Sequence, residues 1–226
     1  MLKKVKYVLL ILLLAFTGLN AADYTQKIDR SFELAAGGSI ELANINGEIV
    51  ITTTGGTAVG IKAVKSSDDK GEIENVDVVF EPGKDTLKVY VKYNKRNARA
   101  KVDFTVSVPE KLARAQFKSV NGKIDFSGGF RNADLATVNG TIEISQEPLL
   151  SGDLKAETVN GAIDIELNRK SAFDLDGETI NGAIGNDFGL EVERHLVGKS
   201  MSGKVNGGGY KVNVETVNGS IDISKI

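Results

Sequence analysis

Residues 158–165 read Thr-Val-Asn-Gly-Ala-Ile-Asp-Ile, and the same phrase returns through the second half of the chain. It is SVNGKIDFS from Ser119, TVNGTIEIS from Thr137, TINGAIGND from Thr179 and TVNGSIDIS from Thr216, with a worn copy, SMSGKVN, from Ser200. Asn139, Asn160, Asn181 and the substituting Ser202 are spaced by 21 residues. A fixed period of this size marks units that bury their apolar faces against one another.

Parity within each unit points to strands joined at a corner. In LKAETVNGAIDIEL, Leu154, Ala156 and Thr158 share one parity, and Val159, Ile163, Ile165 and Leu167 share the other. Side chains alternate along a strand, so a core-facing set that changes parity needs a corner or bulge. The Asn-Gly pair is where it should fall. The same switch recurs in FDLDGETINGAI and in YKVNVETVNGSIDI, where Val212 and Val214 precede Val217, Ile221 and Ile223.

Asn-Gly is also the strongest two-residue hairpin signal, because a type I′ turn requires positive φ at both central residues. A meander of hairpins therefore competes with a parallel β-solenoid of about 21-residue coils. The constant step and the parity change favour the solenoid. Its corners would be Asn46, Asn121, Gly122, Asn139, Gly140, Asn160, Gly161, Asn181, Gly182, Asn218 and Gly219. Stacked asparagines about 4.8 Å apart can bond amide to amide as a ladder. The last strand, Ser220 to Ile226, would end the stack and leave an edge open to another copy.

Composition agrees with an all-β chain. Three prolines, no tryptophan, 25 glycines and many Val/Ile/Thr alternations leave little helical periodicity in 226 residues. From Asp23 to Leu112 the alternation is less regular, broken by Gly-Gly, Pro-Gly and charged turns, with one copy of the phrase at Asn46-Gly47. The division expected is a signal peptide at 1–22, an N-terminal antiparallel β region at 23–112, sandwich-like or the start of the stack, and VNG repeats at 113–226. Pro109 should end the strand before that boundary.

The N-terminus carries Lys3, Lys4 and Lys6, an apolar run from Val8 to Phe16, and small residues at Ala21 and Ala22. This is the pattern of a secretory signal peptide cleaved after Ala22. An exported protein, periplasmic, at the cell surface or secreted, is expected, not integral to the membrane after cleavage. Lys3, Lys4 and Lys6 are lost and no acid is, which leaves 25 basic against 30 acidic groups, a net charge of −5. That balance speaks against a nucleic-acid partner. With no cysteine anywhere, the fold relies on its core and backbone ladders, and a lipid anchor on cysteine is excluded.

Several residues are candidates for chemistry. Asp125, Glu143, Asp164 and Asp222 occupy one repeat position, with Gly185 interrupting. Close carboxylates bind Ca²⁺ or move protons, so Asp125, Glu143 and Asp164 are metal candidates, with Lys123 and Lys155 as neighbouring cations. The plainer reading is the outward half of strand alternation. Lys92, Lys95, Arg96, Arg99 and Lys101 form a basic run suited to an anionic partner or to a solvated loop. His195, the only histidine, is expected in a connecting segment, in a short helical excursion between coils, and lacks the partners for a zinc cluster or a Ser-His-Asp triad. Tyr90, Tyr93 and Tyr210 are the aromatics that could stack on sugars. No catalytic residue and no cofactor is expected.

The signal peptide, the β region closing on Val108, Pro109 and Leu112, and the returning (S/T)-(V/I)-N-G-x-I-x-(I/F) phrases resemble the bacterial putative-adhesin family of β-strand repeat proteins. The resemblance implies an architecture and transfers no catalytic residue. The signal peptide, the repeat geometry and the lack of a chemical site favour a non-catalytic adhesin-like, envelope-associated or scaffold role, with an envelope component, a glycan or another protein as the partner classes. The alternative from a different class is a β-solenoid enzyme or Ca²⁺-dependent binder acting on acidic polysaccharide.

Overall fold

A computed structural model describes residues 24–35, 37–96 and 99–226. The segment read as a signal peptide lies outside them. No helix among the described residues is long and apolar enough to cross a membrane. The chain forms β1 (Tyr24–Glu33), β2 (Ser39–Ala43), β3 (Ile49–Thr54), β4 (Ala58–Ser67), the single-turn helix α1 (Lys70–Glu74), β5 (Val76–Pro82), β6 (Thr86–Tyr93) and β7 (Lys101–Pro109). The repeats supply β8 (Arg114–Lys118), β9 (Ile124–Ser127), β10 (Ala133–Asn139), β11 (Ile142–Gln146), β12 (Leu154–Asn160), β13 (Ile163–Leu167), β14 (Phe173–Asn181) and β15 (Ile184–Asn186). Then come β16 (Val192–Arg194), β17 (Lys199–Val205), β18 (Tyr210–Asn218) and β19 (Ile221–Lys225).

These strands build two sheets, ordered β1-β4-β7-β3-β9-β11-β13-β19-β15 and β16-β17-β14-β18-β12-β10-β8-β2-β6-β5. Each Asn-Gly phrase joins a strand of the second sheet to one of the first, so every repeat gives one strand to each. Neighbouring repeats pair in parallel and in register, as in Thr137 with Thr158 and Ile144 with Ile165. Between the sheets lies one continuous core, with Phe104, Phe117, Phe126 and Phe173 among its fully buried side chains. Phe126 meets Phe117 and Phe130 edge-on, with centroids 6.3 and 4.8 Å apart, an arrangement that adds to their area burial. The sheets run through both sequence halves, since β2 pairs β8 and β3 pairs β9.

The all-β expectation holds, but a uniform parallel stack in chain order does not. Both sheets are mixed, with antiparallel pairs β1–β4, β4–β7, β5–β6, β14–β17 and β16–β17. The repeats also stand out of sequence order. β18 pairs β12 on one side and β14 on the other, and β19 lies between β13 and β15. Ser220 to Ile226 is therefore interior rather than an open edge. The cause is visible in β17, which turns back antiparallel along β14 and pairs Ser202 with Asp176. Having used the outer side of β14, the chain crosses at Asn206–Gly209 and fills the slot between β12 and β14. Asn206 adopts φ 50° and its Nδ2 donates to Arg169 and Ser171 carbonyls at 3.0 and 2.8 Å, which clasps the crossing to the β13–β14 connection. Ser202 is thus no corner, and the SMSGKVN phrase is a strand of a different kind.

Candidate functional site

The corner is built from three residues, each with a separate task. The threonine that opens the phrase is buried, although polar, because its hydroxyl finds a partner. Thr137 donates to the Gly122 carbonyl at 3.2 Å, Thr158 to Gly140 at 3.1 Å, Thr216 to Gly161 at 3.1 Å and Thr179 to Gly219 at 2.9 Å. Each bond ties one repeat to its spatial neighbour and meets the requirement that buried hydroxyls be partnered. At Ser119 the series fails. Its Oγ is buried without a partner, while the Gly47 carbonyl accepts from Asn44 Nδ2 at 3.1 Å.

The glycine is required by close approach of backbones. A Cβ on Gly140 would stand 2.1 Å from the Gly122 carbonyl oxygen, one on Gly161 2.0 Å from that of Gly140, and one on Gly219 1.8 Å from that of Gly161. None of these glycines has positive φ, and Asn206 is the only non-glycine residue that does among those described. The type I′ hairpin reading fails on that point, since it needs positive φ at both Asn and Gly.

The asparagines form the expected ladder, in the spatial rather than the chain order. Asn181 Nδ2 donates to Asn218 Oδ1 at 2.9 Å, Asn218 to Asn160 at 2.8 Å, Asn160 to Asn139 at 2.9 Å, Asn139 to Asn121 at 2.8 Å and Asn121 to Asn46 at 2.9 Å. All five point one way. The run continues from Asn46 Nδ2 to the Tyr93 hydroxyl at 3.4 Å, and Tyr93 donates to the Ala100 carbonyl at 3.1 Å. The amides lie at the surface, not inside the core.

The valine or isoleucine between them was expected inside and is outside. Ile45, Val120, Val138, Val159 and Ile180 are 38–49% exposed, and Val217 is half-buried. Alternation runs on through Thr158 inward and Val159 outward, Asn160 is exposed as well, and the inward set resumes at Ile163 beyond Gly161-Ala162. These side chains make an aliphatic stripe along the outer face of the second sheet. Beside it, two residues earlier on each strand, Glu157, Glu215 and Glu178 stand in register on β12, β18 and β14. Sequence order concealed that row, because Glu215 is inserted between two residues that precede it.

On the first sheet Asp125, Glu143, Asp164 and Asp222 are consecutive neighbours, and Gly185 ends the row instead of interrupting it. Lys123 Nζ sits between Asp125 and Glu143 at 3.3 and 2.6 Å. The Glu143 carboxylate, then Asp125, raise the affinity of that ammonium for its proton against the opposing effect of partial burial. The place a metal ion would take there is held by an ammonium. Asp164 is pushed above the usual aspartate range by partial burial and then by Asp222 and Glu143. Lys155 is on the other sheet, paired with Glu157 at 2.7 Å. No group of three or more metal-ligating side chains is assembled among the described residues.

His195 lies at the turn of the β16–β17 hairpin, not in a helix. Its Nε2 is 2.7 Å from Ser200 Oγ and 4.0 Å from Glu193. Because one nitrogen faces both, no carboxylate among the described residues is seen to orient the ring from its far side as acyl transfer requires. In the basic run, Lys95 pairs with Glu72 at 2.9 Å and Lys101 with Asp103 at 3.0 Å. Tyr90 bonds Glu81, Tyr93 caps the amide ladder, and Tyr210 stands on the far side of the stack, so the three do not form one platform.

No family model matches the sequence, and no curated protein matches it. Among solved structures, one described as a "putative cell adhesion protein" from Clostridium sporogenes superposes with a TM-score of 0.69 at 13% identity, covering 90% of this chain and all (100%) of that one. The two share a fold. A "putative adhesin" from Bacteroides fragilis is 15% identical over 89% of this chain and 97% of its own, with a TM-score of 0.35, too loose to carry an argument.

Proposed function

We propose that this chain is an exported, non-catalytic β-repeat protein with an adhesin-like or scaffold role at the bacterial envelope, binding through its outer faces. In this reading residues 1–22 are a cleaved signal peptide, 23–112 an N-terminal β region, and 113–226 a solenoid-like unit whose Asn-Gly corners are structural. The observation that carries it is the repetition of one outward set, an aliphatic side chain beside a bonded asparagine, in six successive repeats. Such a surface is rigid and suits contact over an extended area. The adhesion description of the Clostridium sporogenes neighbour agrees with it. The Lys123 ammonium between Asp125 and Glu143 weighs against the Ca²⁺-dependent or acid–base alternative.

Immobilised protein comprising residues 23–226 should retain a defined component from solubilised bacterial envelopes. A blank capture against protein, glycan and lipid fractions would remove the binding role and leave a purely structural one.

A further inference from the structure

The β16–β17 hairpin forms the edge of the second sheet beyond β14, and residues at its turn line one side of a trough of about 590 Å³ on the outer face of that sheet. Its floor is the end of the aliphatic stripe, Val159, Val217 and Ile180, and Val197 faces them from the hairpin. Leu196, next to Val197, is fully exposed at the hairpin tip. The volume falls within the range of ordinary ligand sites.

Along the trough run Glu157, Glu215 and Glu178, in register on adjacent parallel strands. Like charges at facing positions of a sheet destabilise it. Lys155 offsets Glu157, but among the described residues neither Glu215 nor Glu178 has an ion-pair partner. Lys199, at the rim, donates to the Gly182 carbonyl at 2.6 Å. A ligand that covers the aliphatic floor must therefore also bring positive charge. The His195 imidazole is the one ring in its lining, and no Phe, Tyr or Trp is there to give sugar faces a broad stacking platform.

We propose that this trough docks a short basic peptide segment of a partner protein, with lysine or arginine placed against Glu215 and Glu178 and aliphatic side chains against Val159, Val217 and Ile180. The inference rests on the surface-binding role and names its partner class. Neutralising two exposed in-register carboxylates is where charge complementarity gains most, and the aliphatic floor supplies the area.

The test is fluorescence anisotropy of a labelled peptide of alternating lysine and valine, titrated with protein comprising residues 23–226. Peptides with glutamate or serine in place of lysine are the controls. Binding of the lysine peptide should weaken about tenfold in Glu178→Gln/Glu215→Gln, and should also weaken as salt rises from about 50 to about 300 mM. Val159→Ser/Val217→Ser should weaken it as well, with melting temperatures recorded for each variant. Asp164→Asn/Asp222→Asn, which removes acid from the opposite sheet, should leave it unchanged. No binding, equal binding of the serine peptide, or equal loss in the Asp164/Asp222 variant would overturn the proposal. So would self-association at the same concentrations, which would assign the trough to a second copy. If the peptides fail while envelope capture succeeds, this inference falls and the broader binding role stands.

Discussion

Replacing Asn160 by alanine removes two side-chain hydrogen bonds, its own to Asn139 Oδ1 at 2.9 Å and the one it accepts from Asn218 at 2.8 Å. A net intramolecular hydrogen bond contributes about 0.5–1.5 kcal/mol, and the lower part of that range applies to amides that water can reach. Two such bonds give an expected loss of about 1–2 kcal/mol. Had the ladder been buried, the abandoned partners on Asn139 and Asn218 would stay unsolvated and the loss would approach about 3 kcal/mol. Asn181 stands at the end of the run and makes a single amide bond, so Asn181→Ala should cost about half as much. In urea, with an m-value of about 2 kcal/mol/M, the Asn160 change moves the midpoint by roughly 0.5–1 M. A double-mutant cycle sharpens this. Asn139→Ala and Asn160→Ala share one bond and should couple by about 0.5–1 kcal/mol, whereas Asn121→Ala and Asn218→Ala share none and should add. Equal losses at Asn160 and Asn181, or no coupling between 139 and 160, would refute the ladder as a stabilising element.

Other outcomes follow from the same geometry. Gly140→Ala places a methyl 2.1 Å from the Gly122 oxygen, so thermal unfolding should report a loss of more than about 3 kcal/mol. Gly55→Ala, with open space around it, should be close to neutral. Asp164 has its pKa raised in the folded state, so its charged form destabilises the fold once pH exceeds the ordinary value of 3.8, and protonation relieves it. Asp164→Asn should therefore raise the melting temperature at neutral pH, with the gain disappearing as pH falls below that value; an unchanged gain at low pH would contradict the cause. Adding Ca²⁺ to about 1 mM should leave the melting temperature unchanged, because Lys123 holds the space between Asp125 and Glu143. A rise abolished by Glu143→Gln would speak for a metal site.

The repeated phrase made the class and the corners readable. Asn160, Gly161 and Thr158 are residue types chosen by contact with an identical neighbour, so their recurrence signals parallel, in-register contact whatever the order of the units. That same identity hid the order. TVNG at 216 pairs equally well beside TVNG at 158 or TING at 179, and the sequence carries no local preference between them. What decides is the antiparallel return of β17, whose SMSGKVN segment resembles a corner closely enough to be taken for one. The outward direction of Val159 has a simpler reason. Apolar character suggested the core, but the buried slot at that point belongs to Thr158, whose hydroxyl is satisfied by the Gly140 carbonyl. The row along the trough was beyond reach for the same topological reason, since Glu215 joins Glu157 and Glu178 only when β18 is inserted between their strands.

Because the chain has no cysteine, paired substitutions can read that insertion directly. Glu157 and Glu215 face each other across β12 and β18, and Glu215 faces Glu178 across β18 and β14. Neighbouring strands bring Cα atoms to about 4.8 Å, within disulfide range, whereas two steps give about 9.6 Å, beyond it. Under mild oxidation, Glu157→Cys/Glu215→Cys and Glu178→Cys/Glu215→Cys should crosslink within one chain, and Glu157→Cys/Glu178→Cys should not. Ready crosslinking of 157 to 178, with none to 215, would show the repeats stacked in chain order and contradict both the ladder sequence and the trough built upon it.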